Sequence, residues 1–407
     1  MSALERLIRY CRINTESDPE SGTHPSAARE FELANLLVQE LRDLGLADAS
    51  VNEHCYVYAH LPSNLDRPVK TVGFIAHMDT APDYSGANVN PRVIENYDGG
   101  DIILNDRLTT KVSDFPQLKG LAGKTLLVTD GSSLLGADDK AGIACIMEAL
   151  SYYKTHPEVK HGPIAVAFTP DEEIGEGALF FDPAAMNADF AYTMDGDTVA
   201  VMSDETFNAA SAEIVVQGFS IHPGDAKNKL KNAARIAAEL VSILPQEMTP
   251  EHTEGREGFI HLISMEGNTE RAELSFILRD HDAAKLEAEK QLLQDTADYL
   301  NRRYGEKTVT VKFADTYRNM KEVLAECPEV SELAMRAIRD IGYTPENIPV
   351  RGGTDGSNIS FMGLPCPNLG NGGGNFHGPY EYCVVEELED ASKLIRRIVE
   401  LTLEVES

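Results

Sequence analysis

The chain has 407 residues, 42% of them apolar, and a formal charge of −30 from 36 basic and 66 acidic side chains. That length exceeds one simple core and predicts two domains, one inserted into the other. The acidity repels phosphate, which argues against nucleic acid or an anionic membrane as a partner. The six cysteines are scattered without a CxxC pair, a pattern that fits a reduced, cytoplasmic setting better than a disulfide framework. MSALERLIRY interleaves charge with apolar residues, so it does not read as a signal peptide, and no apolar stretch reaches membrane-spanning length.

In chain order, residues 3–13 and 27–44 are predicted helices. Phe31, Ala34, Val38 and Leu41 recur at helical spacing in the second, and Gly45 supplies a stop. TVGFIA (71–76), TLLVT (125–129), PIAVAFT (163–169) and FAYTM (190–194) are continuous apolar runs, as expected of strands covered on both faces. Between the second and third, Ile143, Ile146, Met147 and Leu150 mark one face of a helix. Strand, helix, strand in this order predicts an α/β layer built on a mostly parallel sheet. Beyond about residue 206 the order becomes β-α-β-β-α-β, the arrangement of a small ferredoxin-like α+β module. From about 320 the chain returns to helix, glycine-rich loop and a final helix. The expected organisation is a catalytic domain at 1–206 and 320–407, interrupted by a lid at 207–319.

The chemistry gathers at the ends of the apolar runs. His77 and Asp79 follow one run, Glu172 and Glu173 another, and Asp195 a third; Asp138 and Asp139 open a helix, and His377 lies in GNFHG. Taken singly these residues have ordinary readings as caps, turn residues or solvated acids. Imidazoles and carboxylates brought together at strand ends are what a divalent metal requires. Asp79, two residues from His77, is suited to orient it, since a metal-bound imidazole donates its other N–H to a carboxylate. Glu172 and Glu173 face opposite ways if extended, so one can bind metal while the other reaches water. GxGxxG, GK[ST], HExxH and GxSxG are all missing, which argues against nucleotide binding and serine hydrolysis.

GFIAHMDTAPD, LLGADDKAGIA, AFTPDEEIGEGA, YTMDGD, VRGGTDGSNISFMGLPCPNLG and NFHG resemble the co-catalytic zinc peptidases of family M20, and within it the tripeptide aminopeptidases, over essentially the whole chain. The resemblance implies two Zn2+ ions, with Mn2+ or Co2+ able to substitute. It implies His77, Asp138 and Asp195 as ligands of one ion, and Asp138, Glu173 and His377 as ligands of the other. It also implies Asp138 as the bridge shared by the two ions and, separately, a cis peptide bond between Asp138 and Asp139. Asp79 orients His77, and Glu172 takes a proton from the attacking water and passes it to the leaving amine. In the lid, His222 polarises the scissile carbonyl and Arg279 holds a substrate carboxylate, while Arg351–Gly356 shapes the pocket. Small peptides are the implied partners, and a homodimer is possible within the family. The glycine run before His377 is expected to loosen its loop. Deacylation of N-acyl amino acids, dipeptide hydrolysis and metal binding without catalysis are the competing readings.

Overall fold

The structure, a computed structural model, describes residues 1–405. The chain forms two compact units. One comprises Met1–Asp204, Glu322–Ile348 and the residues from Thr354 onward; the other comprises Glu205–Lys321 and Pro349–Gly353.

The first unit carries an eight-stranded sheet in the order Ser50–Val51, Val57–Leu61, Ile164–Thr169, Val72–His77, Phe190–Thr193, Asn368–Leu369, Val201–Ser203, Glu346–Asn347. Ile164–Thr169 and Phe190–Thr193 both run parallel to Val72–His77. Every residue of these three strands is buried, which is why their sequences lack the polar alternation of a half-solvated sheet. The Ala3–Cys11 helix begins in a capping box between Ser2 and Glu5. Glu30–Leu44 ends at Gly45, whose φ of 101° is left-handed and favours glycine. Ala137–Thr155 is buried along most of its length and packs against Ala3–Cys11, Val72–His77 and Val385–Thr402.

Two expectations from the sequence require correction. Leu126–Val128 does not join the parallel sheet; it pairs antiparallel with Arg92–Ile94 and Tyr382–Val384 in a separate four-stranded sheet. There it covers a small core containing Tyr97, Leu104, Leu118 and Tyr382. A short, wholly apolar run looks the same whichever sheet receives it. The glycine run before His377 is not loose either. Gly373 and Gly374 are a buried strand opposite Cys383 and Tyr382. The Phe376 and Tyr382 rings fill the space that side chains would take, each lying 2.6 Å from where a Cβ would stand.

The second unit is an antiparallel sheet in the order Phe259–Gly267, Arg271–Asp280, Asn208–Gln217, Val309–Tyr317, joined by helices Ala233–Ile243 and Ala283–Tyr304. Its chain order is the anticipated β-α-β-β-α-β. Arg271–Asp280 alternates between buried and less buried positions, and its buried Leu274, Phe276 and Leu278 meet Leu240, Leu293 and Leu300 from the helices. The Arg351 guanidinium donates to the carbonyls of Gly255 (2.9 Å) and Glu257 (2.8 Å) and lies 5.2 Å from the Phe207 ring. This segment is thereby fastened within the second unit. Among the described residues no helix is long and apolar enough to cross a membrane.

Phe276 is 1% exposed at the centre of the second core. Phe276→Ala should cost about 3–5 kcal/mol in denaturant unfolding; a loss under about 1 kcal/mol would mean that this core is not packed as described.

Candidate metal centre

Three adjacent parallel strands deliver the site from their carboxyl ends, where open α/β sheets present ligands. Val72–His77 ends on His77 itself, with Asp79 two residues beyond. Ile164–Thr169 leads into Asp171, whose φ of 57° is left-handed, and then into the single turn Glu172–Ile174. Phe190–Thr193 runs out into Asp195. Asp138 and Asp139 come from the start of the Ala137–Thr155 helix, which opens at Gly136 (φ 78°), and the bond between them is cis. His377, with φ 63°, comes from the loop after Gly373–Gly374.

These side chains converge. Ligand atoms of His77, Asp138 and Glu173 lie within 4.8 Å of one another, as do those of His77, Glu172 and Asp195. His77 Nε2 is 2.9 Å from Asp138 Oδ1. His377 Nε2 lies 2.9 Å from Glu173 Oε2 and 3.4 Å from Asp138 Oδ2. Asp138 thus stands between two imidazoles, one offered to each carboxylate oxygen. His77 is shared by both clusters, a feature absent from the ligand division that the resemblance implies. Glu172 reaches as close to His77 and Asp195 as a ligand would.

Asp79 has a wider role than orienting one ring. His77 Nδ1 faces its carbonyl oxygen (3.1 Å) and its Oδ1 (3.3 Å). The same carboxylate accepts the backbone N–H of Glu172 (3.0 Å) and of Glu173 (3.1 Å), and the Ser17 hydroxyl (2.5 Å). One buried group therefore sets the imidazole and the glutamate turn together.

Several supporting roles escaped the sequence reading, including that of Asp139, which the sequence places only beside Asp138. Asp139 accepts from the His77 N–H (3.3 Å), the Gly142 N–H (3.1 Å) and Asn371 Nδ2 (2.8 Å). Asn371 also donates to the Met194 carbonyl (2.8 Å), so the segments bearing His77, Asp138 and Asp195 are tied at one point. A Cβ at Gly142 would stand 2.4 Å from the Met194 carbonyl and 2.5 Å from Asp139 Oδ1, which leaves room for glycine alone. Glu381 accepts three backbone N–H groups of the loop leading to Asp138. Asp171 accepts the Ser26 N–H on both oxygens. For Asp171 the run of three acids in PDEE was a usable signal; for Asn371 and Glu381 nothing local distinguishes them from loop residues.

The electrostatics are those of crowded acids. Burial, then the charge of Asp195, pushes Glu172 well above the ordinary glutamate range. Burial, then Asp138, pushes Glu173 up to about 7 and Asp195 up to about 8. Asp138 goes the other way: burial opposes it, yet the His377 and His77 imidazoles hold it below the usual carboxylate range. Hydrogen bonds to Asp138 and Glu173 raise His377 to about 11. The donor set, imidazole nitrogen with carboxylate oxygen, suits zinc and tolerates manganese or cobalt. The carboxylates outnumber the imidazoles, so divalent cations fit the charge that this pocket demands.

His222 and Arg279 belong to the second unit. His222 is exposed on the loop after Asn208–Gln217, where its Nδ1 accepts the Gly224 N–H (3.1 Å). Arg279, on Arg271–Asp280, donates to the carbonyls of Ala210 (3.2 Å) and Leu278 (2.9 Å) and lies 5.1 Å from the Tyr317 ring.

Residues 135–401 match the model of peptidase family M20/M25/M40, and the chain belongs to that family. It is a metallopeptidase. Among its relatives, Peptidase T of Alkaliphilus oremlandii is 50% identical over 402 residues, covering 98% of each chain. Peptidase T of Geobacillus thermodenitrificans is 48% identical, covering 98% of this chain and 97% of its own. In fold it is similar to the aminopeptidase PepT from Bacillus cereus (TM-score 0.77, 24% identity, 98% of each chain). It is also similar to YXEP of Bacillus subtilis, described as a dinuclear metal-binding peptidase (TM-score 0.64, 16% identity, 99% of each chain).

A group whose pKa is raised by folding holds its proton more tightly in the folded chain, so stability falls as pH rises through the interval between its unfolded and folded values. Glu173 (about 7), Asp195 (about 8) and His377 (about 11) all carry this sign. The opposite contribution of Asp138 lies below the ordinary aspartate range. Metal-stripped protein should therefore show a Tm that declines from roughly pH 5 to 9, with added zinc reversing the decline. A Tm that is flat or climbs over that interval would contradict the reading.

Proposed function

We propose that the protein is a tripeptide aminopeptidase that releases the N-terminal residue of short peptides at a dinuclear zinc site. The observation that carries the reading is the meeting of His77, Asp138, Glu173 and His377 at hydrogen-bonding distances, with Glu172 and Asp195 beside them. His77, Asp138 and Asp195 would hold one ion; Asp138, Glu173 and His377 would hold the other. When bound, the pair supplies Lewis acidity that draws the pKa of water toward neutrality and stabilises the developing oxyanion.

The remaining chemistry falls to the chain. Glu172 accepts the proton of the attacking water and returns it to the departing amine, a role supported by its place beside His77 and Asp195. Asp79 keeps Glu172 in place through its backbone N–H and keeps His77 in one orientation. The second unit acts as a lid, within the approximate limits 207–319 and with Pro349–Gly353 joined to it. His222 would polarise the scissile carbonyl. Arg279 would grip the peptide carboxylate, restricting substrates to short lengths. Cytoplasmic location and a possible homodimer complete the reading; the names of the relatives support the substrate class.

Glu172→Gln should lower kcat by about 10²–10⁴ while metal content stays that of the native protein; undiminished turnover would refute its assignment. Asp79→Asn should weaken metal affinity by about 10–100-fold in calorimetric titration. Free-amino tripeptides should be cleaved in preference to dipeptides and N-acetylated peptides, and Arg279→Ala should raise KM for them. Preference for N-blocked substrates would favour a deacylase instead.

A further inference from the structure

Glu381 is 1% exposed, and both of its oxygens are in use. Oε2 accepts the backbone N–H of Leu135 (2.7 Å) and of Gly136 (2.8 Å), and Oε1 accepts that of Asp138 (3.1 Å). Burying a carboxylate is costly unless hydrogen bonds replace its water, and three N–H donors do so here. A side chain needed only to fill space would be better served by an apolar residue. What a carboxyl fork adds is a fixed pitch: its two oxygens straddle Ala137 and set the backbone on either side of it. Asp138, the carboxylate standing between His77 and His377, is the last residue so held.

Glu381 also lies four residues after His377. Its own N–H donates to the Gly378 carbonyl (3.3 Å), closing a turn that begins directly after His377. The strand that follows, Tyr382–Val384, pairs with Leu126–Val128, from which the 129–136 loop departs. One carboxylate thus braces the loop bearing Asp138 against the loop bearing His377. The buried Lys140 ammonium, donating to the Ile13 carbonyl (2.9 Å), lies close enough to interact with Glu381 electrostatically.

We propose that Glu381 is a positioning residue that preforms the cation site made by Asp138, Glu173 and His377, fixing the bridging carboxylate through its backbone and His377 through their shared loop. The inference rests on the dinuclear reading of the site, and it concerns metal binding rather than peptide cleavage.

Chelator-stripped Glu381→Gln and Glu381→Ala should be titrated with zinc and with manganese by calorimetry, alongside Tm and far-UV circular dichroism. Glutamine keeps the size of the side chain but has one accepting oxygen and turns an NH2 group toward backbone donors. The expected result is native-like secondary structure with both binding events weakened, because Asp138 is shared, and unequally so: the event that also uses His377 falls by about 10–100-fold and the other by clearly less. Native affinity for both ions in either variant overturns the proposal. So does an equal weakening of both events that merely tracks a fall in Tm, or the uptake of fewer than two ions by the unaltered chain. If neither variant folds, hydrogen exchange on the unaltered protein decides. The Leu135, Gly136 and Asp138 amides should be as protected as core strand amides, and exchange at exposed-loop rates overturns the proposal. Protein that binds two ions but cleaves no tripeptide refutes the aminopeptidase reading alone.

Discussion

Carboxylates crowded into a buried pocket repel one another, and this repulsion governs the first unit. Two unit charges 4 Å apart interact by about 4 kcal/mol at an effective dielectric constant near 20. Asp138, Glu172, Glu173 and Asp195 converge on one pocket with Asp139 buried behind them, and most of the five are pushed toward the protonated state. Asp138 is the exception because two imidazoles face it. A chain that held these groups together for packing alone would gain nothing by it. Divalent cations convert the repulsion into attraction, so the arrangement makes physical sense as a metal centre.

The crowding also explains how the site is braced. Most of the supporting groups are themselves carboxyl groups, and they act by accepting backbone N–H groups. Asp79 takes those of Glu172 and Glu173, Asp139 those of His77 and Gly142, and Asp171 that of Ser26. Asp79 and Asp139 thereby restrain the backbone of Glu172, Glu173 and His77 while leaving those side chains to face the pocket. Carboxylates arranged in this way fix orientation with two oxygens at once, which a hydroxyl or an amide does less well.

Much of this was legible in the chain itself. His77, Glu172, Glu173 and Asp195 each stand at or just beyond the carboxyl end of an apolar run, which is where open α/β sheets present their ligands. The second unit could be read from strand and helix periodicity because Arg271–Asp280 alternates and Ala283–Tyr304 carries its own cap at Asp282. Less could be read where meaning depends on long-range pairing. Leu126–Val128 has the composition of a central strand, yet it pairs elsewhere. The glycines at 373 and 374 suggest looseness until the rings packed on them are seen. Asn371 and Glu381 hold atoms more than two hundred residues away, for which no local pattern exists.

The account depends on two cations sharing Asp138. Crystals grown with zinc and measured at its absorption edge test this most directly. The account predicts two anomalous peaks about 3.5–4 Å apart, with Asp138 between them, one ion contacting His77 and Asp195 and the other Glu173 and His377. A single peak, or peaks away from Asp138, would contradict it.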